Sequence, residues 1–312
     1  VIQNIDCESI FELPLILEKE GLARIVCERL CLNSPEPDLA DWEQLVEKTR
    51  AERDELTVAL VGKYTELQDA YYSIIESLDH AGIALGIMPE IDWIASEELE
   101  NISDEEVDRR LANVDAVIVP NGFGARGMEG MIAAARSARE QGIPFFGVGL
   151  GMQMAMVDIA RNVAGLAKAH SDEAELEDCQ DIFYYANLTA EMKKNLDQIP
   201  ISERPMRRGA HPMVLEEGSM LHAIYGADEV SERHHHRREF NPAYSEALAA
   251  TGLRFSGMSP DGRWVYAFEW PHHPFFIGII SNPQFKSRPT RPHPLFLAFV
   301  EKAIERKRSK EV

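Results

Sequence analysis

Long apolar runs are missing from this sequence: nothing approaches the ~18 consecutive residues of a membrane-spanning helix, so no such helix is expected. A basic-then-apolar leader is missing too, since the chain opens VIQNIDCESIF, and a cytoplasmic location is the expectation. Basic residues are scarce, with 32 Lys and Arg against 52 Asp and Glu. The resulting net charge of −20 argues against a nucleic-acid surface, which needs clustered Lys and Arg. The one basic run, ERKRSKEV from Glu305, reads as the solvated end of a C-terminal helix. Cysteine is sparse, at Cys7, Cys27, Cys31 and Cys179. Cys27 and Cys31 share a helix face at i, i+4, but no second pair at metal-ligand spacing accompanies them, so free structural thiols are expected. Internal repeats and low-complexity segments are absent.

What is present is a chain of 312 residues, 45% apolar, which is enough for a sizeable core. Residues 1–54 have a helical pattern broken at SPEPD, with Asp38 or Asp41 able to cap the second helical stretch. This part reads as a tail and linker rather than an independent domain. From Leu56 the texture changes to β-branched runs (LTVALVG, VDAVIVP, IPFFGVG) alternating with helical periodicity. That alternation predicts an α/β domain over 55–312, with a mostly parallel sheet covered by helices on both faces. Beyond about residue 205 the pattern turns antiparallel, with RFSGMSPDGRWVYAFEW reading as two strands around a Pro-Asp-Gly turn.

Two glycine patterns are false leads. Gly62-Lys63 lacks the upstream glycine and the following Ser or Thr of a phosphate loop, because Tyr64 comes next. Gly122-Phe-Gly124-Ala-Arg-Gly127 matches G-x-G-x-x-G, yet the next strand ends in glycine instead of the acidic residue a dinucleotide site wants. A third glycine is more informative. FFGVGLGMQMAMVDIARN reads as strand, sharp turn and helix, the mounting on which some folds display a nucleophile, and its tip is Gly149.

Several strings, in this order, resemble the glutamine amidotransferase domain of the CTP synthase family: LVGKYTELQDAY, VPNGFGARGMEG, GLGMQMAMVDIARNVAGLAKAHSDE, SERHHHRREFNPAY, GMSPDGR and FKSRPTRPHPLF. The resemblance implies a class I glutamine amidotransferase fold from about Leu56 onward, preceded by the last helices of a synthetase-like domain and a linker. It implies a Cys nucleophile at the elbow and a His oriented by a Glu in a late H-P-E-F string, with no cofactor. The corresponding residues here are Gly149, Asn282 and Gln284. Glycine offers no sulfur, and neither amide titrates near neutral pH. Ile280 and Ser281 also depart from the family, which reads as divergence rather than a single inactivating change.

The pocket implied by the resemblance is better kept. Its contacts to an amino-acid head group fall on Gln153, Glu173 and Arg237, and its oxyanion-hole donors on the backbones of Gly122 and Leu150, beside Phe123. A guanidinium suits a carboxylate and a carboxylate suits an ammonium. One departure lies alongside: the family's P-G-G-F is Pro120-Asn121-Gly122-Phe123. His234-His235-His236 is not expected to bind metal, since the family already carries two of these histidines and neighbours on a strand point to opposite faces. The stretch Ile182–Pro205 has no counterpart in the family pattern and reads as a rebuilt helix or a partner surface.

The expected function is that of a pseudoenzyme unable to hydrolyse glutamine. Its remaining role would be to bind an amino-acid-like small molecule, glutamine or an analogue, or a synthetase-type protein partner. Two alternatives stand beside it: an enzyme refitted for another amino-acid derivative, and the C-terminal part of an ammonia-dependent CTP synthase.

Overall fold

The computed structural model describes residues 2–3, 6–186 and 203–310, with 188, 189, 192, 195 and 198–200 between them. The helices α1 (Leu13–Lys19) and α2 (Leu22–Leu30) bury none of their residues. Cys31 does not continue the face of Cys27: the helix stops at Leu30, and Cys31 is its left-handed cap with φ 53°. The i, i+4 expectation therefore fails, because the backbone turns away one residue too early. In α3 (Ala40–Arg50), Asp38 Oδ1 accepts from Ala40 N at 3.1 Å, while Leu45 and Val46 are buried.

From Asp54, strands and helices alternate as β1 (Asp54–Gly62), α4 (Tyr72–Leu85), β2 (Ile87–Ala95), α5 (Asp104–Leu111), β3 (Ala116–Val119), α6 (Met128–Gln141), β4 (Phe145–Val148) and α7 (Leu150–Asn162). There follow β5 (Ala169–Ser171), β6 (Gln180–Tyr184), β7 (Arg207–Leu215), α8 (Met220–Tyr225), β8 (Glu229–His236) and β9 (Glu239–Phe240). The chain closes with α9 (Ser245–Ala249), β10 (Arg254–Met258), β11 (Val265–Glu269), β12 (Phe276–Ile279) and α10 (Pro294–Lys310). Of the stretch Ile182–Pro205, anticipated as a rebuilt helix or partner surface, Ile182–Tyr184 belong to strand β6 instead of a helix, and part of the remainder lies outside the described residues.

The large sheet runs β2-β1-β3-β4-β12-β11-β10-β7-β8. Its first five strands are mutually parallel, and from β12 onward each pairing is antiparallel. Every residue of β3, β4 and β12 is buried, as expected of strands covered on both faces. Phe145 stacks on Phe276 across β4 and β12 at 4.4 Å, and Phe146 meets Phe296 of α10 edge-on at 5.4 Å. Between α6 and α7, the buried Asp158 is held by Arg139 at 2.7 Å, so it faces a helix interface and not the pocket. A smaller sheet, β5-β6-β9, sits beside the large one. The order matters for function because ligands of open parallel sheets collect beyond the carboxyl ends of the strands. Here the ends of β1, β3, β4 and β12 deliver Lys63, Asn121 to Phe123, Gly149 and Asn282 to one place.

Candidate functional site

Gly149 is the tip of the elbow between β4 and α7, with φ 59° and ψ −109°. Side chains rarely adopt this backbone, and a residue other than glycine would be strained by about 1–3 kcal/mol. The turn is tight: a β-carbon on Gly151 would strike the Val119 backbone, 2.7 Å from its carbonyl carbon. Gly149 N donates to Ile279 O at 2.8 Å, which fixes the elbow against β12. Leu150 N, at the first turn of α7, and Gly122 N make no hydrogen bond among the described residues.

A β-carbon built on Gly149 would fall inside the Asn121 side chain, overlapping Oδ1 and lying 2.6 Å from Cγ. Asn121 thus fills the space that a side chain on the elbow would need. Its Nδ2 donates to Asn282 Oδ1, which also accepts from Gln284 Nε2 at 3.1 Å. Asn282 is anchored in turn to the Arg233 carbonyl by its backbone N–H at 2.7 Å and by Nδ2 at 3.4 Å. The floor of the pocket is therefore a lattice of three neutral amides. None of them can supply a nucleophile or shuttle a proton at neutral pH.

The other end of the pocket is charged. Arg237 lies over the Phe123 ring at 5.2 Å. Glu173, nearly buried, accepts from Gly124 N at 2.8 Å and meets Arg238 Nη1 at 3.3 Å. Arg238 also donates from Nε to Asp172 Oδ1 at 2.7 Å and stacks over Tyr185 at 4.2 Å. Gln153 Oε1 accepts from Ser171 Oγ at 3.2 Å, tying α7 to the turn that carries Glu173. Contacts link residues anticipated from sequence in two groups, Asn282 and Gln284 with Asn121 beside Gly149, and Glu173 and Arg237 with the loop Phe123–Gly124. A cavity of about 200 Å³ is lined by Tyr64, Tyr71, Asn121, Phe123, Gln284 and Phe285, among others.

Lys63, set aside above as a failed phosphate loop, holds this loop together. Its buried ammonium donates to Phe123 O at 3.3 Å and also to Gly124 O. Burial pushes its pKa down to about 8, with Glu173 opposing and Arg126 reinforcing the shift. Sequence reasoning also missed Arg238, because nothing in a run of two arginines says which one folds back onto the acidic turn. It missed Glu232 as well, a buried carboxylate that accepts from Tyr225 Oη at 3.1 Å and His293 Nε2 at 3.0 Å and meets Lys286 Nζ at 3.3 Å. This cluster clamps β8 to the segment carrying Asn282 and Gln284. His222 Nε2 meets Asp228 Oδ1 at 2.8 Å. His234 and His236 point inward while His235 is exposed, following strand alternation. Among the described residues no cluster of three or more His, Cys, Asp or Glu is arranged for a metal, and no helix is long and apolar enough to cross a membrane.

The elbow, the loop after β3 and the acidic turn coincide with a family match, in which the model of class-I glutamine amidotransferases fits residues 66–302. The chain belongs to that family. Within it, the chain is similar to CTP synthases: 48% identical over its full length to the CTP synthase of Symbiobacterium thermophilum, and 45% identical over 307 residues to that of Ruminiclostridium cellulolyticum. The chain spans 56% and 55% of the lengths of these relatives. In three dimensions it is similar to the Trypanosoma brucei CTP synthase glutaminase domain solved with bound acivicin. The TM-score is 0.72 at 35% identity, covering 80% of this chain and 94% of that one. The anticipated class I amidotransferase fold, with its antiparallel additions, is the observed one.

Proposed function

We propose that this amidotransferase domain recognises an amino-acid-like ligand, glutamine or an analogue, without hydrolysing it. The observation that carries this reading is the placement of Asn121 where an elbow side chain would stand, joined to Asn282 and Gln284 in a lattice with no titratable member. Losing a nucleophile or its base alone lowers turnover by about 10⁶, and here no group at the floor replaces either. Recognition has support at the other end. Arg237 is suited to a carboxylate, Glu173 to an ammonium, and Gly122 N and Leu150 N to a terminal carbonyl. Acivicin sits in the glutaminase domain of the Trypanosoma brucei relative; the equivalent cleft here would take a ligand of comparable kind.

Calorimetric titration with glutamine, paired with an ammonia-release assay, tests the reading. The expected outcome is saturable binding with ammonia at the buffer level. Ammonia release above that control, or a covalent adduct with acivicin, would overturn it.

A second reading places the domain beside a synthetase-type partner in cytoplasmic pyrimidine metabolism, as a CTP synthase-like ligase using free ammonia. It is favoured by residues 1–54, which we take as a synthetase-like tail and linker: α1 and α2 bury nothing, and Ile10, Leu30 and Leu32 are exposed. Titration against an isolated CTP synthase-type synthetase domain should then show binding that is weakened by Leu30→Glu. An enzyme refitted for another amino-acid derivative gains no support, since the floor offers no replacement nucleophile.

A further inference from the structure

We infer that Asn121 reads the far end of the ligand and selects a primary carboxamide over a carboxylate. This deepens the recognition reading above and rests on it.

The orientation of the amide lattice follows from a group that can only accept. The Arg233 carbonyl takes both the backbone N–H and Nδ2 of Asn282. Asn282 must therefore present its NH₂ towards β8 and its Oδ1 towards the pocket floor. Oδ1 has no proton to give, so both side chains that meet it, Gln284 and Asn121, must offer their NH₂ groups. With its nitrogen committed to Asn282, Asn121 turns its carbonyl oxygen towards Gly149, into the space a β-carbon there would fill. Three side chains and one backbone carbonyl thus leave Asn121 a single orientation, in which the elbow carries an acceptor.

Around that acceptor stand donors of fixed position. Gly122 N and Leu150 N are uncommitted among the described residues, and Leu150 opens α7, a helix of 13 residues whose N-terminal end carries partial positive charge. Two donors and one acceptor around a single locus complement a primary carboxamide, whose oxygen accepts and whose NH₂ donates. A carboxylate satisfies the donors, but it sets an acceptor oxygen against Asn121 Oδ1 and has no hydrogen to offer. Sites built to hydrogen-bond an N–H reject analogues that lack it. Asn121 is only partly buried and water reaches it, so a preference of at least about ten-fold is expected, well short of the roughly 10⁴–10⁵-fold of a fully enclosed site.

The test is a calorimetric titration of the whole chain with L-glutamine and with L-glutamate at pH 7. It is repeated on Asn121→Ala and on the near-isosteric Asn121→Leu, each checked by circular dichroism. The wild type should bind glutamine at least about ten-fold more tightly than glutamate. Both variants should lose most of that preference, through weaker glutamine binding. Equal or tighter glutamate binding by the wild type, or a preference that survives in a folded variant, overturns this inference and leaves the recognition reading standing. Binding of neither ligand by the wild type overturns both.

Discussion

The two ends of the site differ in chemistry. At the floor, Gly149, Asn121, Asn282 and Gln284 carry no charge and no reactive atom, and they close on one another through hydrogen bonds. At the other end stand the acidic Asp172 and Glu173 and the basic Arg237 and Arg238, held by partners. Both ends share one backbone mounting, with the glycine elbow at φ 59°. On the function proposed above, the difference teaches that catalysis and recognition separate physically. Chemistry needs one sulfur and one titrating nitrogen in register, whereas binding needs donors, acceptors and charges that a rigid scaffold holds without them.

The largest expected effect would erase that difference. Combining Asn121→Gly, Gly149→Cys, Asn282→His and Gln284→Glu should raise glutamine hydrolysis by about 10⁴-fold or more over the wild type, read as ammonia release. The same set without Asn121→Gly should stay at background, because the new β-carbon would meet the Asn121 amide. Equal activity of the two sets would show that Asn121 is no obstruction. The opposite end is probed by Arg237→Ala, which should weaken glutamine binding about 10–100-fold, the range of a charge-assisted hydrogen bond, by calorimetry. An unchanged affinity would detach Arg237 from the ligand. Gly149→Cys alone should lower the unfolding free energy by about 1–3 kcal/mol in denaturant melts, and adding Asn121→Gly should recover part of the loss.

The smallest effect concerns Lys63, which bridges the two ends through the loop after β3. Its folded pKa of about 8 lies below the ordinary 10.5. Its charged form therefore weakens the fold below pH 8, and that penalty is relieved as pH rises from 8 to 10.5. The stability of the wild type relative to Lys63→Met should rise across that interval. A flat difference would mean that the ammonium is not desolvated.

Much of the fold was legible in the sequence. Apolar runs such as Val58–Val61 and Ala116–Val119 have no polar face to show water, as expected of strands covered on both sides. The elbow was legible for a similar local reason, since glycines at 147, 149 and 151 permit a turn that other residues resist. The link between Asn121 and Asn282 was not legible. These residues stand 161 positions apart, and each alone reads as an isolated departure from a family pattern. Arg238 escaped as well, because its partners, Asp172 and Glu173, come from a different sheet-flanking turn.

By itself the sequence determined the strand and helix order, the strained turn at Gly149 and the absence there of a sulfur, because these are properties of covalent composition and of hydrophobic periodicity along the chain. Only the tertiary structure decided that Asn121 fills the space beside Gly149, which way its amide faces, and which arginine pairs with Glu173. Hydrogen-bond direction and ion pairing depend on distances of a few ångströms between residues far apart in the chain, and those distances exist only once the parallel strands have brought their carboxyl ends together.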